Sequence, residues 1–157
     1  MATPRLIRKL ALLALYQLDA RGEQDAEHIR ASLCDAESLS EEGLRLDEND
    51  EKLTDRDHTR AWELALEAYR VRGQADLVLL DLAPDWPPHR QAAIDRAILR
   101  LGYYEIVSGK TPHRAAINEA VELARSFSTE KSPTFINGLL AAVYKRHAAG
   151  KNTEAPS

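Results

Sequence analysis

Three basic side chains, Arg5, Arg8 and Lys9, stand just ahead of an apolar run from Leu10 to Leu15, in an opening stretch of 18 residues with no acidic group. Thr3 followed by Pro4 marks a helix start there: a capping hydroxyl, then a proline whose missing N–H costs nothing at the first helical position. Positive charge at a helix N-terminus opposes the macrodipole, a cost that a bound anion offsets. Phosphate suits such a place, because free backbone donors and cations meet it together. Nothing else in the chain suggests bond-making chemistry. There is no glycine-rich phosphate loop, no nucleophile elbow and no His-Glu-His helix for a metal. Asp95 with Arg96, and Glu119 with Glu122, lie on amphipathic segments where capping, ion pairing or solvation is the expected role. Cys34 is the single cysteine and cannot close an internal disulfide, and the five histidines are scattered without metal-ligand spacing. The expectation is a binding protein, not an enzyme, without cofactor or metal.

Helical periodicity runs through most of the chain. After Pro4, Ile7, Leu10, Ala11, Ala14 and Leu18 recur at helix spacing and define a buried stripe. A short helix over residues 25–35 would use Ile29 and Leu33. The stretch from Asp35 to Asp57 then turns acidic and loses its apolar period, which reads as a solvated connection over about residues 36–57. From Thr59 the stripe resumes with Ala61, Trp62, Ala65, Leu66 and Tyr69. Another helix, Ala75 to Leu82 with Leu79, Leu80 and Leu82, stops at the cluster Pro84, Pro87 and Pro88. Residues 89–107 carry the clearest pattern, with Ile94, Ala97, Ile98 and Leu101 on one face and Gly109 closing the helix. Pro112 precedes a narrow stripe of Ala116, Ile117, Ala120, Val121 and Ala124. Ser132 and Pro133 repeat the cap-plus-proline start, ahead of Phe135, Ile136, Leu139, Leu140, Val143 and Tyr144. From Ala148 to Ser157 the tail reads as disordered. No segment alternates as a half-buried strand does, so the fold class expected is all-α, about seven helices.

The 157 residues allow one ordinary domain, placed at residues 1–147. The basic start followed by an apolar run looks like a secretory signal, but it meets Tyr16, Gln17 and Asp19 without a small-residue cleavage pattern, which favours a cytoplasmic protein. Nothing approaches the roughly 20 apolar residues of a membrane-spanning helix. A net charge of −4 conceals an uneven distribution: residues 1–18 hold three bases and no acid, residues 19–58 hold 14 acids and five bases, and residues 59–157 hold 13 bases and 11 acids. Local positive potential is what phosphate needs, so an acidic total excludes only a broad, non-specific nucleic-acid binder.

Between residues 86 and 140 the sequence resembles the NusB family. Trp86, Arg90, Ile94, Asp95, Arg96, Ala97, Ile98, Leu99, Arg100, Leu101, Tyr104 and Glu105 follow the family's W, spacer, R, spacer, D-R-A-I-L-R-L and Y-E. Residues 116–125 read A-I-N-E-A-V-E-L-A-R, as the family does after a proline, here Pro112. Ser132, Phe135, Ile136, Asn137, Gly138 and Leu139 match its S, two spacers, F-[VI]-N-G-[VI]-L. Ala14, Leu15, Tyr16, Gln17 and Asp19 are similar to the A-L-Y-Q-x-D that ends its first helix.

The resemblance implies two small packed helical bundles and a role in processive transcription antitermination of rRNA operons. It implies that the chain binds the boxA element of nascent RNA together with NusE, a small-subunit ribosomal protein, in the antitermination complex of RNA polymerase. It also implies an RNA surface made of Arg5, Arg8, Lys9 and Tyr16 from the first helix and Lys131, Thr134, Phe135 and Asn137 at the start of the last. Arginine and lysine would hold phosphate, aromatic rings would stack bases, and the amide would read a base edge. Against this, Tyr16 and Phe135 could be core residues, and Asn137 beside Gly138 could serve close helix packing. Two other readings keep the fold: the N-terminal module of an RNA cytosine methyltransferase, and a helical scaffold without RNA affinity. An apolar patch that recruits NusE and a homodimer face look alike in sequence, so both stand as alternatives.

Overall fold

In a computed structural model the described residues are 3–34 and 53–154, and they hold seven α-helices and no strand. The chain divides into two compact units, Met1–Arg70 and Val71–Ser157.

The first unit contains α1 (Pro4–Arg21), α2 (Ala26–Ser32) and α3 (Asp55–Arg70). The Thr3 hydroxyl accepts from the Leu6 N–H at 3.2 Å, with Pro4 opening the helix as its sequence requires. The buried face of α1 is wider than the single stripe expected: Leu6, Leu12, Leu13, Leu15 and Gln17 are buried as well. α1 packs on α3 and on α2. Gly22, at φ 86°, ends α1, and its N–H donates to the Leu18 carbonyl at 2.8 Å. α3 starts earlier than its apolar stripe indicates. Thr54 Oγ1 accepts from the Asp57 N–H at 3.2 Å, and Asp57 Oδ2 accepts from the Thr54 N–H at 2.9 Å. This reciprocal capping box buries Asp57 and makes residues 55–57, expected in the acidic connection, the first turn of a helix. The rest of that connection, residues 36–52, lies outside the described residues.

The second unit contains α4 (Arg72–Leu82), α5 (Ala93–Ser108), α6 (His113–Phe127) and α7 (Ser132–Glu154). α6 lies against α7 and α5, α5 also packs on α7, and α4 packs on α7 and α5. Leu79 is the buried leucine of α4, whereas Leu80, one residue on and so about 100° around the helix, is 41% exposed. Arg100 of α5, almost wholly buried, meets Asp76 of α4 through two bonds, Nε to Oδ1 at 3.0 Å and Nη2 to Oδ2 at 2.7 Å. A planar guanidinium on a carboxylate fixes the register of two helices better than a point charge does. Gly102 lets α5 and α7 come close together, since a Cβ there would lie 2.6 Å from Leu140 Cδ1. Close packing had been an alternative for Gly138, where a Cβ meets nothing within 4 Å. α7 continues to Glu154, so residues 148–154, expected as disordered tail, are helical.

Candidate nucleic-acid interface

The eight residues expected to hold RNA fall into two groups, one on each unit. In the first, α1 buries its leucines and leaves its basic residues outward: Arg5 is exposed, and Arg8 and Lys9 are half-buried. Tyr16 is 36% exposed, so it is not a core residue of α1. With 3.6 residues per turn, positions 5, 9 and 16 share one side of the helix, over an axial span of about 16 Å. That side offers cations at its N-terminal end and a phenol ring about three turns on. The same helix end carries backbone N–H groups that favour an anion.

In the second, Lys131, Thr134 and Asn137 are exposed around the first turns of α7. Phe135 is half-buried, and its ring lies 3.9 Å, centroid to centroid, from that of Trp86 at a tilt of 44°. The ring therefore packs on Trp86 while the residue keeps part of its surface accessible.

What holds this helix start in place is a buried carboxylate. Asp95, 2% exposed on the first turn of α5, accepts from Ser128 Oγ at 2.6 Å and from Ser132 Oγ at 2.9 Å. Ser128 Oγ also lies 2.9 Å from Ser132 Oγ, and Thr129 Oγ1 shares a 2.9 Å contact with the same hydroxyl. The Ser132 hydroxyl, expected to cap α7, thus gives its proton to Asp95 in a network that ties the α6–α7 connection to α5. Hydrogen bonds to a charged acceptor are short and strong. Asp95, expected to cap, pair or be solvated, is instead the buried acceptor for two hydroxyls, one ahead of α7 and one at its start. The contact between Trp86 and Phe135 has no counterpart among the expected contacts. Trp86 stood in a recognisable motif, but pairing with a residue 49 positions away leaves no periodic signal.

Among the described residues no group of three or more His, Cys, Asp or Glu side chains could hold a metal, and no helix is long and apolar enough to cross a membrane.

The pattern of the NusB family matches residues 5–145. A protein of Symbiobacterium thermophilum named transcription antitermination protein NusB is 38% identical over 149 residues, covering 93% of each chain. Among solved structures, NusB of T. maritima superposes with a TM-score of 0.71 at 28% identity, covering 99% of this chain and 100% of that one. A chain from a crystal structure of the antitermination factors NusB and NusE in complex with dsRNA gives a TM-score of 0.68 at 25% identity, covering 90% of this chain and 96% of that one.

Proposed function

The chain belongs to the NusB family, and on that premise we propose that it is an RNA-binding transcription antitermination factor. It binds a boxA-type RNA together with a NusE-type ribosomal protein and supports processive transcription of rRNA operons by RNA polymerase. It works in the cytoplasm as a binding subunit and performs no catalysis of its own. The observation that carries this reading is the near-complete match to a chain solved with NusE and dsRNA. The full-length similarity to the Symbiobacterium thermophilum relative points the same way.

The RNA contacts are Arg5, Arg8 and Lys9 for phosphate, Tyr16 and Phe135 for bases, and Lys131, Thr134 and Asn137 for phosphate and base edges. What supports this assignment is that none of the eight is sealed in the core: Arg5, Tyr16, Lys131, Thr134 and Asn137 are exposed, and Arg8, Lys9 and Phe135 are half-buried. Single-stranded RNA offers unstacked bases to such rings, whereas a duplex offers mainly backbone and a shallow groove.

The experiment is a binding titration of this protein with and without a NusE-type partner. Its arms are a boxA-type single strand, the same strand annealed to its complement, and a scrambled single strand. The expected result is tightest binding to the boxA-type single strand with the partner present, weakening as salt rises. Equal affinity for the boxA-type and scrambled strands under all conditions contradicts it.

A further inference from the structure

We propose that the RNA-binding face of the second unit extends from α7 onto the 83–92 loop, where Trp86 supplies a second stacking ring and Arg90 a phosphate contact. The inference rests on the RNA-binding function proposed above and adds residues that the expected site lacked.

The loop is a built platform. The Trp86 N–H donates to the Ala83 carbonyl at 3.1 Å, and Gln91 Nε2 donates back to the Trp86 carbonyl at 3.2 Å. The Arg90 and Gln91 N–H groups donate to the Pro87 and Pro88 carbonyls at 2.9 and 3.2 Å, closing a short 3-10 turn, and Arg96 Nη1 from α5 donates to Pro88 at 3.0 Å. Two prolines with fixed φ stiffen it further. A ring held this way has little ordering entropy left to lose when a base stacks on it.

The exposure of the rings points in the same direction. Trp62, the other tryptophan, is 7% exposed and belongs to the core of the first unit. Trp86 and Phe135 touch each other yet are both only half-buried, so the pair leaves aromatic surface outward instead of sealing a core. Arg90 follows Trp86 by four residues and Lys131 precedes Phe135 by four, and both are exposed, as is His89. Two exposed carboxylates, Asp85 and Glu130, lie on the same segments. They keep the net field modest, which leaves stacking as the larger part of the binding and fits a site for unpaired bases over one for duplex backbone.

The test uses the full chain with its two tryptophans replaced by fluorotryptophan, so that only this protein reports in fluorine NMR even with a NusE-type partner present. A Trp62→Phe variant assigns the Trp86 resonance. Adding a boxA-type single strand should shift or broaden the Trp86 signal in step with RNA binding measured by anisotropy of a dye-labelled strand. Trp86→Leu should weaken that binding about tenfold, as expected for loss of one stacked base. Arg90→Ala should weaken it less and lower the slope of log affinity against log salt by about 0.7, the share of one phosphate on a single strand. Because Trp86→Leu removes packing against Phe135, the Arg90→Ala variant and the NMR signal carry the test if the leucine variant unfolds. RNA that binds while the Trp86 signal stays still and the Arg90→Ala affinity is unchanged overturns the extension and leaves the function standing. Failure of the unaltered protein to bind any single strand overturns both.

Discussion

Tyr16 illustrates how much a single side chain can be asked to do. Its sequence position on a leucine-rich helix suits core packing and base stacking equally, and exposure separates the two, because its neighbours Leu15, Gln17 and Leu18 are buried while it is 36% exposed. Truncation should therefore cost little stability, within about 0.5 kcal/mol for a surface position. The same truncation should cost about 1–3 kcal/mol of RNA affinity if a base stacks there. Paired measurements on Tyr16→Ala, by urea unfolding and by RNA titration, check both halves, and a large loss of stability with unchanged affinity would return Tyr16 to the core. Phe135 has no such separation. Its ring packs on Trp86, so Phe135→Ala should lower stability as well as affinity, and Phe135→Leu is the variant that keeps most of the packing.

At the scale of elements, the helix start that presents Lys131 and Phe135 depends on Asp95. Asp95→Ala leaves the Ser128 and Ser132 hydroxyls without their acceptor, and losing a buried hydrogen-bond partner of this kind costs about 1–3 kcal/mol. Denaturant unfolding should show that loss, with RNA affinity falling alongside as the turn loosens. A wild-type midpoint would mean that the network does not hold the turn. Thr54→Ala should likewise cost about 1 kcal/mol through the α3 capping box, read as a lower thermal midpoint. Both features show where sequence is legible and where it is not. Helix positions from Ile94 to Leu101 and from Ala116 to Ala124 follow from apolar spacing alone, and the structure buries Ala97, Ile98, Leu101, Ala116, Ala120 and Ala124 as expected. Thr54 and Asp57 also carried a local signal, a hydroxyl three residues before a carboxylate, but it stood in an acidic run whose composition argued for solvation. The bonds from Asp95 to Ser128 and Ser132 span 33 and 37 residues, and no local spacing announces a contact of that range. The early end assigned to α7 has a different cause: Ala148, Ala149, Gly150 and Lys151 carry no large apolar group, so the stripe fades before the helix does.

For the whole molecule, an acidic chain that binds a polyanion must concentrate its positive charge, and the α1 start does so while residues 19–58 hold all of the excess acid. Each unit carries one group of the residues proposed to contact RNA. The most direct measurement is the affinity of the protein, with its NusE-type partner, for a boxA-type single strand over a range of salt, in the unaltered chain, in Arg8→Ala and in Phe135→Leu. Both variants should bind more weakly. The salt slope should fall by about 0.7 in Arg8→Ala, which loses a phosphate contact, and stay unchanged in Phe135→Leu, which loses a stacked base. Unaltered affinity and slope in both variants would contradict the account.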